Sequence, residues 1–205
     1  MSNFNFTNNW FESIARGVWD NLLPPIEPRK ILEVGTYEGA AICYLVDKFP
    51  SNELEIHAID TWAGGIEHIS EGIEMSQVEK RFIENTALAL VNSTMNISIK
   101  AHKGLSTIEM AKLLSDGKES YFDFIYIDAS HQAPDVLGDA VLGFHLLRVG
   151  GIMGFDDYLW AERLSDGLDH LRCPKIGIDS FVNVFIRKVE IIHNGHQVYV
   201  RKLSN

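Results

Sequence analysis

The chain has 205 residues, 46% of them hydrophobic, and carries a formal net charge of −10 at pH 7. This suits one globular domain with a sizeable core, and the acidic balance, with no Lys/Arg cluster, argues against a nucleic-acid partner, since phosphate binding needs local positive charge. No apolar run reaches the roughly 18 residues of a membrane span, no signal-like segment opens the chain, and Cys43 and Cys173 lack CxxC spacing, so a cytoplasmic protein with free thiols and no membrane partner is expected.

Residues 1–28, with Phe4, Phe6, Trp10, Phe11, Ile14 and Trp19, read as a helical extension ahead of a domain spanning 29–205. So many aromatics would make an unusual free surface, which predicts packing on the acceptor side of a site or on a second subunit of a homodimer. "PPIEP" then leads into the first of five short, near-continuously apolar runs: "KILEV" (30–34), "EIHAI" (55–59), "ISIKA" (97–101), "FDFIYI" (122–127) and "GIMGF" (151–155). Such runs are what buried parallel strands require. Helical periodicity fills the gaps at 40–49, 76–92, 105–114 and 134–147. In the last, Pro134 suits a first turn, and Val136, Leu137, Ala140, Val141, Phe144 and Leu147 form one stripe that "GG" at 150–151 would stop.

After a further helix near 178–186, Asn194-Gly195 between two apolar runs signals a type I′ hairpin. His193 and His196 flank that turn and read as solvated hairpin shoulders rather than ligands. The fold class follows: α/β, Rossmann-like, a seven-stranded mostly parallel sheet with helices on both faces and a C-terminal antiparallel hairpin.

The first strand ends in "ILEVGTYEGAA", giving Glu33-x-Gly35-x-x-x-Gly39 at a strand-to-helix junction, where glycine allows a tight turn and close approach of a ligand. The second glycine of the dinucleotide fingerprint is replaced by Tyr37, which counts against NAD or FAD, and no G-K-[ST] follows, which excludes a P-loop. Asp60 closes the second strand, where a carboxylate can accept the ribose hydroxyls of an adenosine.

With "EVGTYEG", "AIDTW", "KGLS" (103–106), "YIDASH" and "RVGGIMGFDDY" in this order, the chain resembles class I S-adenosylmethionine-dependent methyltransferases over residues 29–202. The resemblance implies S-adenosyl-L-methionine as cofactor. It assigns Glu33, Gly35, Tyr37 and Gly39, with Thr36 among them, to the methionine end, Asp60 to the ribose, and Trp62 and Ser106 to the neighbourhood of the adenine.

Asp128 ends the fourth strand and Asp156-Asp157 the fifth. Neighbouring parallel strands lie about 4.8 Å apart, so these carboxylates converge and repel unless a cation sits between them. Mg²⁺ or another hard divalent ion is the expected occupant. Catechol-type O-methyltransferases resemble the chain in having an Asp after the fourth strand and an Asp-Asn pair after the fifth. Here the pair is Asp-Asp, and His131 stands at the family's catalytic Lys position. The pattern is closer to metal-dependent enzymes of macrolide sugars, so the implied acceptor is a small-molecule or glycan hydroxyl. Asp128 is counted with the cofactor residues as well as the metal ligands.

A hydroxyl beside a divalent cation is more acidic, and an imidazole titrating near neutral pH can take its proton, which gives His131 the role of general base. Trp10, Trp19, Trp62 and the segment 158–164 are candidates to wall the acceptor pocket. Two rivals remain: a metal-dependent hydroxylase or hydrolase on the same fold, and a non-catalytic S-adenosylmethionine-binding module. A non-haem iron site would want two His and one carboxylate, and only His131 is placed for it.

Overall fold

The computed structural model describes residues 4–49, 53–162, 164–165 and 167–205, with the side chain of Glu67 excepted. Seven strands form one sheet: β1 (Lys30–Val34), β2 (Leu54–Asp60), β3 (Ile97–Lys103), β4 (Phe122–Ile127), β5 (Leu147–Phe155), β6 (Val189–Asn194) and β7 (Val198–Lys202). Their order is β3-β2-β1-β4-β5-β7-β6, parallel through β5 and antiparallel at the last two pairings. The expected fold class is the one observed. The chain winds outward from β1 to β3 and then crosses to β4. That reversal opens a crevice beyond the carboxyl ends of β1 and β4, where ligands bind in such sheets.

Strand alternation sorts the core into two layers. Ile31, Phe124, Tyr126 and Ile152 face one side, which is covered by α1 (Arg16–Leu22), α2 (Ala40–Lys48) and α4 (Met75–Asn92). Leu32, Ile125, Ile127 and Met153 face the other, covered by α5 (Ser106–Ser115), α6 (Ala133–Leu146) and α7 (Pro174–Phe185). A short α3 (Ile66–Ser70) lies in the loop after β2.

Three sequence expectations need correction. The Gly150-Gly151 pair does not stop a helix: α6 ends at Leu146, and β5 starts at Leu147 with no linker. The glycines lie inside β5 as a bulge, where the pairing jumps from Phe122↔Leu147 to Phe124↔Ile152. A Cβ on Gly151 would sit 2.8 Å from Leu147 and 3.0 Å from the Asp123 carbonyl, so the crowded bulge needs its absence. The hairpin is not a two-residue type I′ turn, because neither Asn194 nor Gly195 has positive φ. Asn194 pairs with Val198 around the three residues 195–197. The final helix begins at Pro174, ahead of the expected 178, because a proline at its first turn starts it just as Pro134 helps start α6.

The N-terminal segment packs directly on the sheet. A π-helical turn (Phe11–Ala15) runs into α1, and Trp19 is fully buried with its indole edge-on to Phe124 and Tyr126. Its Nε1 donates to the Tyr199 hydroxyl at 2.7 Å. Truncating a buried ring of this kind typically costs about 3–5 kcal/mol. Trp19 is therefore a core residue and walls no pocket.

Candidate active site

The loop between β1 and α2 is fixed by backbone necessity. Gly35 has φ +86°, and a Cβ there would fall 2.0 Å from the Asp128 carbonyl oxygen, so only glycine lets β1 and β4 close together at this end. Asp60 braces the loop. Its Oδ2 accepts from the amides of Thr36 (3.0 Å) and Tyr37 (2.9 Å), and its Oδ1 from the Trp62 amide (2.7 Å). Glu33 is buried and accepts from the Thr36 hydroxyl at 2.7 Å. Burial, with the Asp60 carboxylate adding to it, pushes the Glu33 carboxyl up to about 8.

Glu38, missed in the sequence reading, ties the N-terminal segment across this loop. It accepts from the Thr7 amide (2.7 Å) and hydroxyl (2.8 Å) and pairs with Arg81. Phe6, Asn8, Trp10 and Phe11 consequently line the same cleft as Glu33, Gly35, Thr36, Tyr37, Asp128 and Asp156. Trp10 lies against Tyr37, with ring centroids 5.3 Å apart. Trp62 turns away from the cleft. Its ring is buried on Phe82, and its Nε1 donates to the Tyr37 carbonyl at 3.0 Å. It holds the loop from behind and is no wall of the acceptor pocket. Gly39, at φ +80°, starts α2. Ser106 opens α5, and the buried Asp139 carboxyl, with neither oxygen hydrogen-bonded among the described residues, is raised by burial to about 7.

The acidic corner lies across the cleft. The β4 end delivers Asp128, whose amide donates to the Val34 carbonyl at 2.7 Å. The residue is exposed on the cleft, and its carboxyl is raised well above the usual range by desolvation and then by the charges of Asp156, Asp157, Glu33 and Asp60. Asp156 accepts from the Tyr126 hydroxyl (2.6 Å), the Gln197 amide (2.9 Å) and the Asp157 backbone (2.8 Å). Burial and then Asp157 raise it too. Asp157, at φ +54°, meets His131 Nε2 at 2.9 Å, and the His131 ring lies 4.0 Å from that of Trp160. The segment 158–164 thus borders His131 through Trp160; its Arg163 lies outside the described residues.

Asp156, Asp157 and His196 bring one ligand atom each within 4.8 Å of one another, whereas Asp128 stands beside this set and outside it. Gln197 was not singled out in the sequence and His196 was read as a solvated hairpin shoulder rather than a ligand, because only the hairpin register carries them to the β5 end. A signal existed for Gln197. It shares a strand face with Tyr199, and a lone amide among buried positions requires polar partners. Crowded carboxylates with oxygen lone pairs to spare are a donor set that fits a hard divalent cation. The buried Glu33 carboxyl facing the cleft fits a ligand carrying positive charge.

A parallel sheet with a glycine loop on β1, an acid at the end of β2 and a crevice at the switch point defines a methyltransferase-like fold. The family model described as a methyltransferase domain matches residues 32–158, and the chain belongs to this family. It is 26% identical over 164 residues to a probable caffeoyl-CoA O-methyltransferase 3 of Dictyostelium discoideum, covering 76% of this chain and 57% of that protein. A caffeoyl-CoA O-methyltransferase of Stellaria longipes is 23% identical, covering 68% and 50%. The chain thus spans about half the length of the curated relatives it matches. Among solved structures, the O-methyltransferase from Bacillus cereus in complex with SAH superposes with a TM-score of 0.65 at 18% identity, over 98% of this chain and 84% of that one. A methyltransferase from the mycinamycin biosynthetic pathway, in complex with Mg and SAH, gives 0.56 at 18%, over 98% and 51%. Among the described residues, no helix is long and apolar enough to cross a membrane.

Proposed function

We propose that the chain is an S-adenosylmethionine-dependent O-methyltransferase, aided by a divalent cation, that methylates a hydroxyl of a small molecule or sugar with His131 as general base. The observation that carries this reading is the confluence in one cleft of the glycine loop of β1 on one wall and Asp128 and Asp156 on the other, with the Asp157–His131 pair bonded next to Asp156. When bound, the cofactor supplies a sulfonium methyl group, and the cation makes a neighbouring hydroxyl more acidic.

The residues of this chain do the rest. Glu33, Thr36 and Tyr37, with Gly35 and Gly39 shaping the loop, hold the methionine end. Asp60, already bonded to the loop amides, faces the ribose with its remaining lone pairs, and Trp62 and Ser106 flank the adenine side from behind. Asp128, Asp156 and Asp157 would supply oxygen donors to the cation, Mg²⁺ or another divalent ion. His131 takes the hydroxyl proton, and Asp157, at 2.9 Å, stabilises the imidazolium that forms. The N-terminal segment walls the acceptor side through Phe6 and Trp10 of the same chain, which makes residues 1–28 an extension serving the domain at 29–205. Phe6 is half-buried and Trp10 stays exposed in the single chain, and sedimentation decides whether a homodimer forms. The free thiols Cys43 and Cys173 suit a cytoplasmic location.

Calorimetric titration with S-adenosylmethionine, with and without Mg²⁺, tests the reading together with a hydroxyl-acceptor screen scored by S-adenosylhomocysteine release. Binding followed by release with at least one acceptor is expected. A folded protein with no affinity for the cofactor ends the proposal.

A further inference from the structure

The C-terminal hairpin brings two consecutive side chains to the acidic corner in opposite roles. Gln197 points inward: its amide donates to Asp156 Oδ1 at 2.9 Å and to the Tyr126 hydroxyl at 2.7 Å, so it orients one carboxylate. His196 points outward at the tip. Its backbone is pinned, because the Tyr158 amide donates to the His196 carbonyl at 3.0 Å, which ties the tip to the chain just past Asp157. The imidazole itself makes no hydrogen bond or ion pair among the described residues. Both ring nitrogens are therefore available, and one lies within 4.8 Å of donor atoms of Asp156 and Asp157.

Donors around one first-row divalent ion, at about 2.0–2.2 Å each, lie no more than roughly 4.4 Å apart. The observed 4.8 Å spread is wider than that span by about 0.4 Å, and the His196 ring is exposed.

We propose that His196 is a nitrogen ligand to the same cation that the carboxylates hold, a proposal that rests on the cation reading above. The consequence is a change of metal. Carboxylate, carbonyl and water donors suit Mg²⁺, whereas an imidazole in the set raises affinity for Mn²⁺, Co²⁺ or Zn²⁺ along the usual order for nitrogen ligands. The site is thus built for a first-row transition ion in preference to Mg²⁺. The carboxylates supply charge and His196 supplies softness.

The test is metal binding, read without turnover. Untagged, metal-free protein is titrated with Co²⁺, Mn²⁺ and Mg²⁺ by calorimetry, and Co²⁺ is also followed by its visible absorption. The parent protein should bind Co²⁺ and Mn²⁺ at least about tenfold more tightly than Mg²⁺. His196→Gln should weaken Co²⁺ and Mn²⁺ by at least about tenfold, shift the Co²⁺ spectrum, and leave Mg²⁺ within about threefold. His193→Gln, across the turn with its ring against Tyr199, should change none of these. A His196→Gln protein whose Co²⁺ affinity and spectrum match the parent's overturns the ligand assignment while leaving the carboxylate site intact. A parent that binds none of the three ions overturns both. His196 is exposed, so the substitution does not threaten the fold.

Discussion

The two walls of the cleft are built on opposite electrostatic terms. On the β1–β2 side each carboxylate has partners: Asp60 takes three backbone amides, and Glu38 takes Thr7 and Arg81. On the β4–β5 side Asp128, Asp156 and Asp157 face one another, and Asp128 accepts no hydrogen bond among the described residues. Apart from Glu33, whose buried carboxyl is raised to about 8, the first wall is complete before any ligand arrives and offers shape and leftover lone pairs. The second is strained until a positive charge enters. Removing a carboxylate should accordingly have opposite effects on the two sides.

The sharpest break of that contrast is Asp128→Asn. Methyl transfer should fall by at least about 10³-fold, the scale of lost metal assistance. The metal-free variant should nevertheless melt at a higher temperature than the parent, because one repelling charge is gone. Scanning calorimetry after EDTA treatment checks the second half, and a lower Tm would show that the corner is not strained. EDTA alone should stop the parent, and added divalent cation should restore it; full-speed turnover in EDTA would remove the cation from the mechanism.

Next in size is His131→Ala, expected to lose roughly 10²–10⁴-fold in rate. Cofactor and metal affinities, read by calorimetry, should stay near parental values. A variant that loses metal instead would make His131 a prop for Asp157 rather than a base.

Asp139→Asn probes pH. The folded carboxyl is raised to about 7 against an ordinary value near 3.8, so the folded state binds the extra proton. Stability should then decline as pH rises from about 4 through 7 and level off above. At pH 8 the Asn variant should exceed the parent by up to about 4 kcal/mol, since each unit is worth about 1.4 kcal/mol, and the slope over that window should flatten. Denaturant curves at pH 5 and pH 8 measure both, and an unchanged slope would rule out a neutral Asp139.

The smallest expected effect belongs to the completed wall. Asp60→Ala should weaken S-adenosylmethionine by about 1.5–3 kcal/mol, the range for hydrogen bonds to a charged group. It should also lower stability in the free protein, because three amides lose their acceptor. Unchanged Tm alongside weakened cofactor would mean that Asp60 serves the ligand alone.

Legibility in the sequence followed the range of the interaction. The parallel strands were readable because burial on both faces leaves continuous apolar runs such as "FDFIYI". That Glu33, Gly35, Asp128 and Asp156 share one cleft was legible because strand ends border a crevice in this topology. The Gly150-Gly151 bulge was not, since paired glycines signal a stop as readily as a kink, and only the Asp123 carbonyl beside Gly151 decides it. Nor was the role of Trp62, whose positive φ of 46° turns the ring inward. His196 and Gln197 depend on where a hairpin 40 residues beyond Asp156 folds back, which no local pattern encodes.

The Trp19–Tyr199 hydrogen bond joins positions 180 residues apart. At a synthesis rate of about 5–20 residues per second, Tyr199 is added roughly 10–40 s after Trp19. Over that interval the indole, and the faces of Phe124 and Tyr126 that it covers, wait for the strand that completes their burial. Full burial of Trp19 therefore waits for β7, a long-range pairing of the kind that slows folding. Apolar surface stays open to chaperones on nascent chains throughout, and an interruption of synthesis before residue 199 would release a polypeptide whose N-terminal helix has lost its buried partner.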